Sequence, residues 1–317
     1  MCKPQCNASC RICKAIGLSS QMLTYSELET LLGGRSRNDA VCPICSPYRK
    51  RDHRRLKTLR VWRLDVDALT FYCIHCEEKG TVFADQHEPV DDWQRRQRAK
   101  AFAEKQRLID AENRHSKEEK IAALWARSTD SLNTRADAYV LGRGLRLPVD
   151  PEVRCRTLRY AEDVPWGAEL APWALLAAFT PILAKIPPDP FFDPPVKAIH
   201  RIRGRGHANK RMWGEVEGSA IMISPWWHVY ETLHVCEGVE TALALYAKGE
   251  RPIWAMGDRG RIERLPVIER VVQLRIWADH DASGDGMRSA VRCAERWQAA
   301  GKDVVVREPS KEGDYAG

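Results

Sequence analysis

The stretch from Leu233 to Val306 constrains the fold most, because short apolar runs alternate there with helix-compatible runs. Strands are expected at Leu233–Cys236, Pro252–Met256, Val271–Ala278 and Asp303–Val306, with helices at Val239–Ala247 and Gly286–Ala300. Strands that alternate with helices bury both sheet faces, which predicts a doubly wound, mostly parallel sheet in an α/β domain. Ligands of such sheets sit beyond the carboxyl ends of the strands, near the point where strand order reverses. Three acids fall at those positions: Glu237 directly after the first strand, and Asp279 and Asp281 after the third.

Two residues apart in an extended segment, Asp279 and Asp281 face one side and can share a hard cation through oxygen ligands. Three acids gathered without a cation would repel one another. The alternative is a pair of solvated turn residues, the usual state of an Asp-x-Asp in a loop. Gly238 and Gly284, each following an acid at a strand-to-helix turn, favour the metal reading, since a missing Cβ lets backbone approach phosphate or metal.

Cys42-x2-Cys45 and Cys73-x2-Cys76, separated by 27 residues, supply four thiolates with the spacing of a tetrahedral structural Zn²⁺ site. His53 and His75 are expected to stay outside the ligand set. Between and around the knuckles lie Arg49, Lys50, Arg51, Arg54, Arg55, Lys57, Arg60 and Arg63, with Trp62, Phe71 and Tyr72 interleaved. Cations for phosphates and rings for bases make a platform for single-stranded nucleic acid, with Arg54, Arg55, Arg60 and Trp62 as candidate contacts. The competing reading is a solvated hairpin that holds Trp62 and Phe71 in its small core. Cys2, Cys6, Cys10 and Cys13 leave open a second zinc site or an extended start with idle thiols. The spacing Cys6-x3-Cys10-x2-Cys13 also occurs in radical iron–sulfur enzymes, whose barrel fold this sequence does not suggest.

At 317 residues, 44% hydrophobic and 29% charged, the chain suits a soluble globular protein of two or three domains. A net charge of +7 inclines it towards a polyanionic partner. Eight of the eleven cysteines precede residue 77, a distribution that fits reduced, metal-binding thiols better than disulfides. The most apolar window, Leu170–Ile186, is short and interrupted by proline, and the start lacks a signal-peptide pattern, so a cytoplasmic protein with no membrane partner is expected. The expected segments are 1–36 with the first cysteines, a ribbon over 37–90, a helical linker over 91–128, an α+β subdomain over 129–230 and the α/β domain over 231–317.

EGVETALA (Glu237–Ala244) and WADHDASG (Trp277–Gly284) resemble the two signatures of the Toprim domain shared by bacterial and phage primases, topoisomerases and some nucleases. PIWAMG (Pro252–Gly257) and the closing Pro309-x3-Gly313-Asp314 are similar to phage- and plasmid-type primases. FYCIHCEEKGTV (Phe71–Val82) resembles the second half of a primase zinc ribbon. YVLGRGL (Tyr139–Leu145), with the pair His200-Arg201 and Lys210, resembles the part of these primases that precedes the Toprim domain. The resemblance implies a Toprim sheet preceded by an α+β subdomain and a small N-terminal β zinc ribbon. It further implies Mg²⁺ or Mn²⁺ held by Glu237, Asp279, Asp281 and Asp314, with Glu237 as general acid/base, and nucleotide or template contacts from Arg143, Arg201 and Lys210. Thr241 stands where the resemblance expects a second acid.

The activity so implied is that of a DNA primase, making short RNA primers on single-stranded DNA from ribonucleoside triphosphates in a bacterial host or phage-infected cell. No G-x4-G-K-[ST] loop occurs, so a separate replicative helicase is the expected partner. A Toprim nuclease or topoisomerase-like DNA-cleaving enzyme, or a nucleic-acid-binding module with a decayed site, are the alternatives. The run HRIRGRGHANKR (His200–Arg211) is either a solvated loop or a grip for nucleotide phosphates beside the carboxylates.

Overall fold

Along Lys57–Asp65 apolar and polar residues alternate, and the computed structural model turns Leu59 and Val61 inward and Arg60 outward. It describes residues 23–49, 53–84, 92–185, 194–280, 283–309 and Tyr315, so Cys2, Cys6, Cys10 and Cys13 lie outside the described residues. The chain divides into two units, Met1–Asn113 and Arg114–Gly317.

In the first unit four antiparallel strands, β1 (Arg37–Val41), β2 (Lys57–Asp65), β3 (Ala68–Cys73) and β4 (Lys79–Phe83), pair in chain order. Helix α1 (Tyr25–Leu32) begins at a reciprocal capping box between Thr24 and Glu27 and ends at Gly33, whose φ of 60° suits a residue without Cβ. Its Leu28 and Leu32, with Leu23, seal one sheet face against Leu59, Val61, Leu69 and Phe71. The opposite face carries Arg60, Trp62 and Tyr72.

Helix α2 (Asp92–Arg127) is polar over most of its 36 residues, as expected for a solvated helix, but Ile121 and Leu124 in its last turns are buried. They cover one face of an antiparallel sheet formed in order by β5 (Thr129–Asp130), β6 (Leu158–Trp166), β7 (Glu169–Pro181), β8 (Ala198–Ile202) and β9 (Lys210–Gly214). Helices α3 (Arg135–Gly142) and α4 (Pro151–Thr157) precede β6, and the short β10 (Ser219–Ala220) pairs with β7. The apolar window near Leu170 is β7, a central strand buried on both faces, which explains why its pattern is continuous rather than alternating.

The last sheet is parallel, in the order β12 (Ile253–Ala255), β11 (Thr232–Cys236), β13 (Gln273–Trp277), β14 (Asp303–Arg307). Helix α5 (Val239–Ala247) covers one face, while α6 (Arg259–Glu263) and α7 (Asp285–Ala299) cover the other. The doubly wound α/β domain expected from the alternating pattern is therefore present, with α6 an element the pattern did not mark. A bridge between Ile221 and Ala255 and a common core of Phe179, Ile202, Val239 and Leu243 join the two sheets of this unit.

Candidate functional site

Chain reversal fixes the position of the acids. From β11 the chain crosses to β12 on one side and then returns to β13 on the other, so the switch point of the parallel sheet lies between β11 and β13. Cys236 and Trp277 are register partners at the carboxyl ends of these adjacent strands. Glu237 follows the first directly and Asp279 the second after Ala278, and both are half-buried. The edge thus brings Glu237 and Asp279 together, while Asp281 and Asp314 lie outside the described residues.

The glycines divide. Gly284 has a φ of 67°, which a side chain would strain, and it starts α7. Gly238 has an ordinary φ of −100°, and a Cβ there would meet only Thr241 Oγ1 at 3.7 Å, so its backbone does not require glycine. The crowded position is Gly257, after β12. Its N–H donates to the Glu237 carbonyl at 2.7 Å, its φ is 85°, and a Cβ would lie 2.7 Å from both the Arg261 guanidinium and the Phe179 ring.

Behind this edge sits a polar network that only the folded chain reveals. Glu240, in the first turn of α5, is buried, yet its carboxylate receives the Lys210 ammonium at 2.6 Å and the Tyr139 hydroxyl at 2.9 Å. Burial would raise the Glu240 carboxyl, but the Lys210 hydrogen bond and charge outweigh it and hold the group below the usual carboxylate range. Desolvation and the adjacent Glu240 charge push the Tyr139 phenol up. His200 is pushed down to about 4, first by burial and then by Lys210, Arg261 and Arg201 against the opposing pull of Glu240. Glu240 was legible as the one charged side chain in the apolar helix VETALALYA, but nothing local pairs it with Lys210.

Strand alternation separates the middle cations. Ile202 and Lys210 are register partners, as are His200 and Met212, and this set shares the face of the Phe179 core. Arg201 and Arg211 are partners on the opposite face. Arg201 is 6% exposed, stacks between Trp166 and Trp213 and donates to the Pro165 carbonyl. Of the three residues expected to meet nucleotide or template from this region, Lys210 faces the parallel-sheet domain and Arg201 faces away from it. Arg143 caps α3 beside Tyr139, where its charge partly opposes the rise that burial and Glu240 impose on the phenol.

In the ribbon the four Sγ atoms of Cys42, Cys45, Cys73 and Cys76 lie within 4.8 Å of one another, with Cys42–Cys76 at 3.9 Å and Cys45–Cys73 at 3.7 Å. A tetrahedron with metal–sulfur bonds of about 2.3 Å has edges of about 3.8 Å, so the cage fits Zn²⁺, whereas a disulfide requires about 2.05 Å. His53 and His75 are exposed and outside the set. Arg49 is not a phosphate contact: it is buried and donates to Cys45 Sγ at 2.6 Å and to Thr58 Oγ1. Arg63 is likewise occupied, by Glu29 and the Tyr25 hydroxyl. Arg54, Arg55 and Arg60 are exposed, Trp62 lies outward beneath Arg37 at 5.8 Å, and Phe71 belongs to the core.

Residues 232–316 match the Toprim domain family, and the chain carries a Toprim domain there. No curated protein matches the chain by sequence. Among solved structures, a DNA primase domain from Pseudomonas aeruginosa is similar at 15% identity and a TM-score of 0.44, over 63% of this chain and 73% of that one. The zinc-binding and RNA polymerase domains of the Aquifex aeolicus primase are similar at 15% identity and 0.42, over 89% and 75%. The primase fragment of the bacteriophage T7 primase-helicase is similar at 11% identity and 0.40, over 78% and 84%.

Proposed function

We propose that the chain is a DNA primase, synthesising short RNA primers on single-stranded DNA by metal-dependent nucleotidyl transfer. The observation that carries this reading is the placement of Glu237 and Asp279 on adjacent parallel strands at the switch point of a Toprim domain. Glu237 and Asp279, with Asp281 and Asp314, would hold Mg²⁺ or Mn²⁺. When bound, the cation neutralises charge on the nucleotide phosphates and lowers the pKa of a bound hydroxyl.

The chain's own residues do the rest. Glu237 accepts a proton from the attacking 3′-hydroxyl. Lys210, held by Glu240 and Tyr139, presents an ammonium to the triphosphate, with Arg143 nearby. The ribbon's outward Arg54, Arg55, Arg60 and Trp62 grip the template by charge and stacking. A separate helicase would deliver the template, and the setting would be a bacterial or phage-infected cytoplasm.

Incubation with single-stranded DNA, Mg²⁺ and labelled ribonucleotides tests the reading. Short labelled products are expected, falling at least about 100-fold in Asp279→Ala and Glu237→Ala, since each removes several kcal/mol of transition-state stabilisation. Cleavage without synthesis would replace it with the nuclease, and binding alone with a non-catalytic module.

A further inference from the structure

One cation of the ribbon has no part in gripping template. Arg49 is 6% exposed, whereas Arg54 and Arg55 are exposed. A short 3₁₀ turn, Ser46–Tyr48, follows Cys45 and brings Arg49 back towards it, with the Arg49 N–H donating to the Ser46 carbonyl at 3.2 Å. From there the guanidinium reaches both knuckles. Its Nη2 donates to Cys45 Sγ at 2.6 Å and to Thr58 Oγ1, and its Nη1 donates to the Leu56 carbonyl at 3.3 Å. Thr58 Oγ1 accepts from Arg49, which leaves its own hydrogen free for Cys73 Sγ at 3.5 Å. One sulfur from each knuckle is thus tied to a single cation, the first directly and the second through a hydroxyl.

A buried cation needs a counter-charge. Among the described residues Arg49 forms no ion pair with a carboxylate, and the Leu56 carbonyl and Thr58 hydroxyl are neutral. The sulfur cage can supply what they do not. Metal-bound cysteines are thiolates, so four of them around one Zn²⁺ leave a net charge of about −2. Backbone N–H groups also address these sulfurs, from Cys45 to Cys42, from His75 and Cys76 to Cys73, and from Glu78 to Cys76. Such dipoles stabilise negative charge without changing its sum. Among the described residues Arg49 is the one cation in hydrogen-bond contact with the cage.

We propose that Arg49 is the resident counter-cation of the zinc centre, offsetting one of its two excess negative charges and so setting how tightly the metal is held. It ligates nothing and acts through Cys45 and, by way of Thr58, through Cys73. The inference rests on the cysteine cage and not on primer synthesis. Its rival is a filler role, in which the guanidinium only closes the loop onto Leu56 and Thr58. A filler is lost equally in a lysine or a methionine variant, because neither has the planar fork. A counter-cation is restored by lysine.

The full chain with Cys2, Cys6, Cys10 and Cys13 replaced by serine lets the ribbon cage answer alone. Stripped of metal under reducing conditions, it is titrated with Co²⁺, which Zn²⁺ then displaces in competition with a chromophoric chelator. Arg49→Met, neutral and of similar length, is expected to weaken Zn²⁺ binding about 10–100-fold, the usual cost of removing a partner of a metal ligand. Arg49→Lys is expected to recover most of that loss. The sulfur-to-cobalt charge-transfer band should move to longer wavelength in Arg49→Met, since a thiolate without a cation beside it gives up an electron more readily, and should return in Arg49→Lys. Unchanged ligand-field bands of tetrahedral Co²⁺ show that the cage itself is intact. If Arg49→Met does not assemble the cage, Thr58→Val, which cuts only the relay to Cys73, is expected to shift the band less and in the same direction, and an unmoved band there would overturn the proposal. Wild-type affinity and band position in Arg49→Met would overturn it too, as would a lysine variant no better than methionine. A parent chain that binds neither Co²⁺ nor Zn²⁺ would remove the zinc reading and the counter-cation with it.

Discussion

The ribbon and the second unit solve the same problem with different means. The ribbon's core holds seven apolar residues, Leu23, Leu28, Leu32, Leu59, Val61, Leu69 and Phe71, with three of the four cysteines among them. So little apolar area offsets little of the conformational entropy of the chain, and the cage of four cysteine sulfurs is where a bound metal would add stability. The second unit has two large clusters, with Phe179, Ile202 and Leu243 joining its two sheets and Trp297 filling the far side of the parallel one. A core of that size tolerates a buried Glu240, paired with a half-buried Lys210, and a buried His200. The difference teaches where charge is structural: in the ribbon Arg49 is placed against cysteine sulfur, and in the larger unit Arg201 is placed against indoles.

The largest effect expected is removal of zinc. One zinc per chain should be found by elemental analysis, and a chelator or Cys42→Ser should unfold the ribbon, since structural zinc contributes about 10–16 kcal/mol in comparable modules. The sheets of 114–317 should survive, as far-UV circular dichroism with limited proteolysis would register. A ribbon that resists protease without metal would erase the contrast, and two zincs would bring in the N-terminal cysteines. Next is Phe179→Ala, which should cost about 3–5 kcal/mol in thermal or denaturant unfolding of the second unit while zinc content stays the same.

A third effect concerns pH. Because His200 titrates at about 4 in the fold and at its ordinary 6.5 when unfolded, the unfolded chain binds a proton across that window that the folded chain refuses. Stability should therefore fall as pH drops from 6.5 to 4, by up to about 3 kcal/mol. His200→Asn should flatten that part of the stability profile, and an unflattened profile would place the acid sensitivity elsewhere. The smallest effect is at the ribbon's surface. Arg60 and Asp39 are 3.8 Å apart and about half exposed, so Arg60→Ala should change stability by less than about 1 kcal/mol. Its expected signature is instead a salt slope for oligonucleotide binding lowered by about 0.7.

Much of the fold was legible where the pattern is local. Helix α5 runs from Val239 to Ala247 as expected, and the four parallel strands lie within two residues of their expected bounds, because strand and helix periods declare themselves over a few residues. Strand β7 was harder to see, since burial on both faces removes the alternation that marks a strand. Helix α6 was missed because five residues are too few to show a period. Gly257 was visible only as part of a motif. Its need to be glycine comes from Phe179, 78 positions away, and from Arg261.

What the sequence alone determined about this protein is the inventory and its spacing: four thiolates in two knuckles, acids after apolar strands, and an excess of cations. Those are covalent facts, and the short-range geometry of a turn or a strand end carries them into space almost unchanged. The tertiary structure decided what each charge faces. Arg49 and Arg63 left the supposed phosphate platform for Cys45 and Glu29, Lys210 joined Glu240 and Tyr139, and Arg201 turned to Trp166 and Trp213. Successive residues of a strand point to opposite faces, so a shift of one position selects a different set of neighbours, and only the packed sheets define what those neighbours are.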